Sequence, residues 1–287
     1  MPGSVPVVSP WTRRADLELA QRLADAADAI SLPRFRAADL QVTAKPDLTP
    51  VSDADFAVER AIRSILAAER PQDAIVGEEF GDSGPLTSGE SSSGGTSDGS
   101  SWGGRRWVLD PIDGTKNFVR GVPIWATLIA MFDGDDAVVG VVSAPALTRR
   151  WWAASGLGAF SRFGDGEPTR CRVSAVANLA DASLSYSELS EWRPAGREKQ
   201  FADLCERCWR TRAYGDFYSY MLVAEGAVDI AAEPELSLWD VGALIPIVIE
   251  AGGMMTAIDG QPSGGNLRSA LASNGLLHGE GLALLNR

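Results

Sequence analysis

The chain has 287 residues, 45% of them hydrophobic and 22% charged, which allows one large domain or two closely packed ones with a sizeable core. Its formal net charge of −12 disfavours nucleic-acid binding, which depends on clustered Lys and Arg. No apolar run approaches the roughly 20 residues of a membrane span, and residues 1–10 lack the basic and apolar segments of a secretory signal.

The first half of the chain predicts two helices followed by a group of strands. Apolar residues recur at helical spacing over 13–35 and 53–69, and the stretch between them is interrupted by Pro46 and Pro50. Strands are predicted at 74–77, 106–109, 125–132, 137–143 and 151–154. In residues 82–104, 8 residues are Ser and 7 are Gly, which indicates a disordered insertion at a loop tip.

Strands and helices alternate in the second half of the chain. Strands are predicted at 183–186, 228–232, 254–257 and 271–273. Helices are predicted at 196–209, 215–225, 239–251 and 278–286. Mixed sheets covered by helices predict an α/β or α+β layered architecture.

Three cysteines and one histidine limit the chemistry. An odd, small number of cysteines favours a reducing compartment over a disulfide framework. Cys205 and Cys208 have the spacing of redox and zinc motifs, but no second Cys or His pair is present to complete a zinc site. Because His278 is the sole histidine and lies at the start of the last helix, acid–base work is expected from carboxylates, hydroxyls or metal-bound water.

Two carboxylates follow a buried strand near the middle of the chain. The strand is expected to end at Asp110, with Pro111 stopping the ladder and Asp113 beginning a turn into a helix. Carboxylates at a strand end can share the crevice in which α/β proteins bind ligands, and the helix N-terminus favours phosphate. Oxygen ligands without His or Cys select Mg²⁺, Mn²⁺ or Ca²⁺ over zinc. The alternative is that both side chains only cap a helix.

Three motifs, in this order, resemble the inositol monophosphatase superfamily. They are Gly77-Glu78-Glu79, the segment 107–118 (WVLDPIDGTKNF), and Trp239-Asp240 followed by 250–253 (EAGG). The resemblance covers residues 13–286 apart from the insertion. It implies an α-β-α-β-α sandwich, with an N-terminal α+β half at 1–145, a C-terminal α/β half at 146–287, and the active site between them.

Further segments are most similar to the actinobacterial histidinol-phosphate phosphatases of this superfamily. They are 45–51 (KPDLTPV), 113–123 (DGTKNFVRGVP), 142–147 (VSAPAL), 149–152 (RRWW) and 212–217 (RAYGDF). The implied reaction is hydrolysis of L-histidinol phosphate to L-histidinol and phosphate, a step of histidine biosynthesis, by direct attack of a metal-activated water. The implied protein is a cytoplasmic homodimer that contacts neither nucleic acid nor membrane.

The resemblance also implies the residues of the site. One Mg²⁺ would be held by Glu78, Asp110 and the backbone carbonyl of Ile112, and a second by Asp110, Asp113 and Asp240. A third ion would bridge Glu78 and the phosphate, and Mn²⁺ could replace Mg²⁺. Asp53 and Thr115 would orient and deprotonate the attacking water, with Glu79 behind the ligands. The expected substrate-binding residues are Glu78, Asp113, Gly114, Thr115, Lys116, Gly215, Asp216 and Glu233.

Simpler roles and other functions stay open. Glu79 is alternatively a solvated carboxylate, Lys116 an exposed surface lysine, and Asp216 only the cap of a helix. The alternative activities are those of an inositol-1-phosphate phosphatase, a broad sugar-phosphate phosphatase or a nucleotide 3′-phosphatase. A non-catalytic, metal-binding regulatory module is the alternative of another class.

Overall fold

The computed structural model describes residues 10–84 and 104–287. In these ranges the α-helices are α1 (Pro10–Arg34), α2 (Asp53–Glu69), α3 (Thr115–Arg120), α4 (Glu198–Arg207), α5 (Asp216–Ala224), α6 (Leu238–Val241), α7 (Leu244–Glu250) and α8 (His278–Leu285). Short 3₁₀ helices lie at Pro145–Leu147, Leu179–Asp181 and Leu189–Trp192. None of the helices in the described ranges is long and apolar enough to cross a bilayer.

The strands form three sheets. They are β1 (Val42–Ala44), β2 (Pro50–Ser52), β3 (Ala74–Gly77), β4 (Gly81–Ser83), β5 (Arg105–Asp113), β6 (Ala126–Asp133), β7 (Asp136–Ala144), β8 (Arg149–Ala154), β9 (Gly158–Phe163), β10 (Thr169–Arg170), β11 (Ser183–Ser185), β12 (Arg210–Arg212), β13 (Ile230–Glu233), β14 (Met254–Thr256) and β15 (Ala270–Ser273). A hairpin joins β1 and β2, eight strands follow the order β10-β9-β8-β7-β6-β5-β3-β4, and five follow β12-β11-β13-β15-β14.

The helices and the two larger sheets alternate in layers. Helices α1 and α2 pack on the outer face of the eight-stranded sheet. Helices α5 and α7 fill the space between the two sheets, and α4 and α8 cover the outer face of the five-stranded sheet. The α-β-α-β-α sandwich implied by the sequence is therefore confirmed. It places the carboxyl end of β5 beside the start of α6.

Helix α2 shows how the local sequence builds one of these layers. Ser52 caps its first turn through a reciprocal hydrogen-bonded pair with Asp55. Val58, Ile62 and Leu66 follow at intervals of four residues, so they lie on one face and are buried against the sheet. The predicted helix at 53–69 has these bounds in the structure.

The structure corrects three expectations about strands. Strand β5 runs through Pro111 to Asp113, with a register shift after Asp110, so Pro111 does not stop it. The eight-stranded sheet continues to Arg170, so the expected division at residue 145 falls inside it. Residues 82 and 83, expected in the insertion, belong to β4 and pair with β3, whereas 85–103 lie outside the described residues.

The predicted helix at 239–251 is two helices in the structure, α6 and α7. Pro246 has no N–H to donate to the carbonyl four residues earlier, which explains a break at this point. The separation leaves α6 as one short turn that carries Asp240. Strands β1, β2, β9, β10 and β12 were not predicted, because short strands of mixed polarity give a weak periodic signal.

Candidate active site

A cleft of about 670 Å³ lies between segments that follow strands of the two larger sheets. Its walls come from the β1–β2 hairpin, the end of β3, the start of α3, and the segments before α5 and α6. The side chains that line it include Lys45, Glu78, Thr115, Lys116, Glu188, Glu191, Tyr214, Asp216 and Asp240. Both halves of the chain therefore contribute walls to one cavity.

Three carboxylates converge at one end of this cleft. Asp110, Asp113 and Asp240 each offer an oxygen, and these oxygens all lie within 4.8 Å of one another. In a regular strand, residues three apart point to opposite faces, so Asp110 and Asp113 would diverge. The register shift between them in β5 turns both side chains towards the cleft.

Glu78 reaches the same place from the neighbouring strand. Strands β3 and β5 are parallel, and Gly77 pairs with Leu109, so Glu78 and Asp110 leave the sheet at the same edge. Lys45, in the hairpin loop, lies 2.7 Å from Glu78 and 2.7 Å from Glu79. The Glu79 side chain is only 3% exposed, so the alternative of a solvated carboxylate is wrong.

The carboxylates are held in an environment that opposes their charge. Burial, followed by the charges of Glu78 and Asp113, raises the pKa of Asp110 well above its usual value. Burial also raises the pKa of Asp113 well above its usual value and that of Asp240 to about 7. Among the described residues, Oδ1 of Asp110 is buried without a hydrogen-bond partner. A cation that prefers oxygen ligands would bind the unpaired oxygen and would reduce the repulsion between the carboxylates.

The hydroxyl of Thr115 lies at the edge of this cluster. It is 2.9 Å from the Ile112 carbonyl oxygen and 3.5 Å from Oδ1 of Asp55. Asp53 points elsewhere and forms an ion pair with Arg34 at 2.7 Å. The predicted pairing of Asp53 with Thr115 was therefore wrong. Residues two apart on a helix point in directions about 200° apart, so only one of the two acids can face Thr115.

Gly114 shapes the turn that leads from β5 into α3. Its φ of +82° lies in the left-handed region, which a residue without Cβ adopts freely. A Cβ would lie 3.0 Å from the carbonyl oxygen of Ile124 and 3.1 Å from Oδ2 of Asp216. Lys116 lies two residues further along the chain, with a 70% exposed side chain 3.4 Å from Glu188. This exposure agrees with the alternative that Lys116 is a surface lysine.

Asp216 lies at the start of α5 and lines the cleft. Its Oδ2 accepts a hydrogen bond from Nδ2 of Asn117 at 3.1 Å, and its backbone N–H donates to Oγ of Ser187 at 2.7 Å. The N–H of Phe217, at the start of α5, donates instead to Asp113 at 2.9 Å. The alternative that Asp216 only caps this helix is therefore wrong, because Asp113 takes that role.

Glu233 lies behind the wall of the cleft. Its two carboxylate oxygens accept hydrogen bonds from the hydroxyls of Ser187 and Tyr220. The residue is 5% exposed, and burial raises its pKa to about 8. Direct contact with a substrate was expected for Glu233, but the structure puts Ser187 in front of it. Because a buried carboxylate requires hydrogen-bond donors, the Ser187 hydroxyl is bound to Glu233.

A model of the inositol monophosphatase family matches residues 13–287. The chain belongs to the inositol monophosphatase family. The histidinol-phosphatase of Mycobacterium tuberculosis is 55% identical over 94% of this chain and 98% of its own length. That of Streptomyces coelicolor is 54% identical over 95% and 97%.

A solved structure gives the same family fold. An inositol monophosphatase from Zymomonas mobilis superposes with a TM-score of 0.79 at 31% identity, over 98% of this chain and 100% of that one. This member of the inositol monophosphatase family is accordingly a phosphatase, a hydrolase of phosphoric monoesters, and its family depends on metal ions. These findings confirm the predicted enzyme class.

Asp55 and Lys45 were not predicted as site residues from the sequence of this inositol monophosphatase family member. A signal for Asp55 was available, because Ser52 and Asp55 have the spacing of a capping box, which ties the acid to the start of α2. Lys45 gave no such signal, since it approaches Glu78 only through the turn of the β1–β2 hairpin.

Substitution of Gly114 tests the geometry of the turn. Gly114→Ala should lower the free energy of unfolding by more than the roughly 1–2 kcal/mol of left-handed strain, because the Cβ also crowds Asp216. Urea unfolding measures this loss. Gly156→Ala is the matched control, since its φ is +79° and nothing lies within 4 Å. Equal losses in the two variants would contradict the close approach of Asp216.

Proposed function

We propose that this phosphatase hydrolyses L-histidinol phosphate to L-histidinol and phosphate. The observation that carries the proposal is a cleft in which the carboxylate cluster at one end is followed by Asp216 and then by Glu188 and Glu191. An acidic wall on the leaving-group side suits an alcohol that carries positive charge, and disfavours further phosphate groups. The name histidinol-phosphatase of the two relatives above supports the same substrate.

We propose Mg²⁺ as the metal, with two or three ions per site and Mn²⁺ as a substitute. The buried, unpaired Oδ1 of Asp110 and the all-oxygen donor set fit a hard divalent cation. The residues that would hold the ions are Glu78, Asp110, Ile112 through its carbonyl, Asp113 and Asp240. When bound, the ions neutralise charge on the phosphoryl group as Lewis acids.

Thr115 and Asp55 would position the attacking water and take its proton. The Thr115 hydroxyl can donate to Asp55 or to the Ile112 carbonyl while its lone pairs accept a hydrogen bond from water. Burial raises the pKa of Asp55 to about 6, which leaves the carboxylate mostly ionised at pH 7 and able to accept a proton. The buried Glu79 would hold Lys45 in place beside Glu78.

The phosphate would lie on the turn of residues 114–116. The first N–H groups of a helix have no acceptor within the helix and therefore attract anions. Gly215 and Asp216 would contact the leaving alcohol. Glu233 would act through Ser187, because it accepts a hydrogen bond from the Ser187 hydroxyl.

Asp216 should recognise the protonated amine of histidinol phosphate. Asp216→Asn is expected to lower kcat/KM for this substrate by at least about tenfold, because a charge-assisted hydrogen bond is lost. The rate on p-nitrophenyl phosphate should change little, and Asn tolerates the φ of +46° at this position. Asp165→Asn, in an exposed turn, serves as the control. Equal losses on both substrates would place Asp216 in the catalytic machinery or the fold.

Parallel initial rates test the proposed function. Histidinol phosphate, inositol 1-phosphate, fructose 1,6-bisphosphate and adenosine 3′,5′-bisphosphate are compared with Mg²⁺ and with EDTA. The highest kcat/KM should be that for histidinol phosphate, and EDTA should remove the activity. A preference for inositol 1-phosphate would favour that activity instead. Light scattering would test the homodimer, which stays a prediction.

A further inference from the structure

A second carboxylate pair lies at the outer rim of the cleft. Glu188 and Glu191 line the cavity together with Asp216. Glu191 belongs to the 3₁₀ helix Leu189–Trp192, whose last residue is fully buried. The Trp192 ring stacks on Phe201 with a centroid distance of 3.8 Å and an interplanar angle of 9°. This stacking fixes the 3₁₀ helix, and with it the position of Glu191 on the wall.

Glu191 is half-buried among like charges. Within 10–84 and 104–287, its carboxylate has no hydrogen bond or ion pair. Burial, Glu188, Glu235 and Asp216 all raise its pKa, and only Lys116 opposes them. The Lys116 ammonium is itself 3.4 Å from Glu188. A carboxylate placed in this way gains stability when a ligand brings a cation beside it.

The order of groups along the cleft has a chemical counterpart. Asp216 lies between the two ends, since it approaches Gly114 of the phosphate-binding turn and the adjacent Asn117, and also interacts with Glu191. Histidinol phosphate carries its phosphate at one end, its amine next and its imidazole last. With the phosphate on the turn and the amine at Asp216, the ring extends towards the rim.

We infer that Glu191 is a specificity-determining residue that binds the imidazolium end of the substrate. This inference rests on the proposed function and assigns one more contact within the same cleft. Imidazole titrates near pH 6.5 in water, and a neighbouring carboxylate favours its protonated form. Glu188 adds to the negative potential but is partly neutralised by Lys116. Glu191 therefore supplies the carboxylate without a cation of its own.

Glu191→Gln tests this assignment with three substrates. The variant should lose about tenfold in kcat/KM for histidinol phosphate, mainly through a higher KM. Its kinetics should be nearly unchanged for phosphoethanolamine, which has an amine but no ring, and for p-nitrophenyl phosphate, which has neither. Glu235→Gln is the matched control, because it removes the same charge near Glu191 from an exposed residue outside the cleft wall. This control should behave as the wild type.

Each other outcome has a defined meaning. An unchanged KM for histidinol phosphate in Glu191→Gln, with the wild type still preferring that substrate, overturns the inference alone. The same loss on phosphoethanolamine moves the contact from ring to amine and also overturns it. Equal losses in Glu235→Gln would show a general effect of charge and would likewise overturn the inference. A wild type that prefers inositol 1-phosphate overturns the proposed function and the inference together.

Discussion

Asp110→Asn should lower kcat/KM by at least about a thousandfold, since several kcal/mol of stabilisation of the phosphoryl charge depends on the ions that this carboxylate would hold. Asp110 is 2% exposed and lies with Asp113 and Asp240 in one cluster of oxygens. Asn has nearly the same shape but offers no negative charge. Removing one charge from a repelling cluster should leave the metal-free protein as stable as the wild type, or more so.

Thermal unfolding separates loss of metal from loss of fold. Mg²⁺ should raise the Tm of the wild type, because a ligand that binds only the folded state stabilises it. In Asp110→Asn this rise should be largely absent, while the Tm in EDTA stays at or above that of the wild type. Glu206→Gln, exposed on α4, is the control and should keep both the activity and the shift. A fully active Asp110→Asn variant, or wild-type activity that persists in EDTA, would sink the proposed mechanism.

Asp55→Asn should lower kcat by about 10²–10⁴-fold, whereas Asp53→Asn should leave it close to the wild-type value. The carboxylate of Asp55 is fully buried and faces the Thr115 hydroxyl, and an amide in its place accepts a proton far less readily. Asp53 pairs with Arg34 through a side chain that is 40% exposed. An exposed ion pair of this kind contributes about 0–1 kcal/mol to stability and nothing to proton transfer.

The two substitutions form a matched pair two residues apart. Asp55 also accepts hydrogen bonds from the N–H and hydroxyl of Ser52, so the Tm values of Asp55→Asn and the wild type are compared to separate a loss of stability from a loss of activity. An amide oxygen can still accept from the Ser52 N–H, and the expected loss from the weakened cap is about 1 kcal/mol. Kinetics with a reversed order, in which Asp53→Asn is the inactive variant, would restore the original assignment from the sequence.

Local patterns in the sequence were sufficient for much of the fold. The period of apolar residues and the cap at Ser52 determine α2, because both act within a few residues of the chain. The motifs around Glu78, Asp110 and Asp240 identified the family and the acidic end of the cleft before any contact was known. Each of these signals is carried by residue types at fixed short spacings.

Tertiary structure alone decided which groups meet. The register shift in β5 brings Asp110 and Asp113 to one side, the β1–β2 hairpin brings Lys45 to Glu78, and Asp113 caps a helix about a hundred residues later in the chain. Asp53 and Asp55 are equally acidic in the sequence, and the rotation of α2 against α3 selects between them. Such choices depend on packing between distant segments, where a change of a few ångströms or of one strand register alters the partner without altering any local pattern.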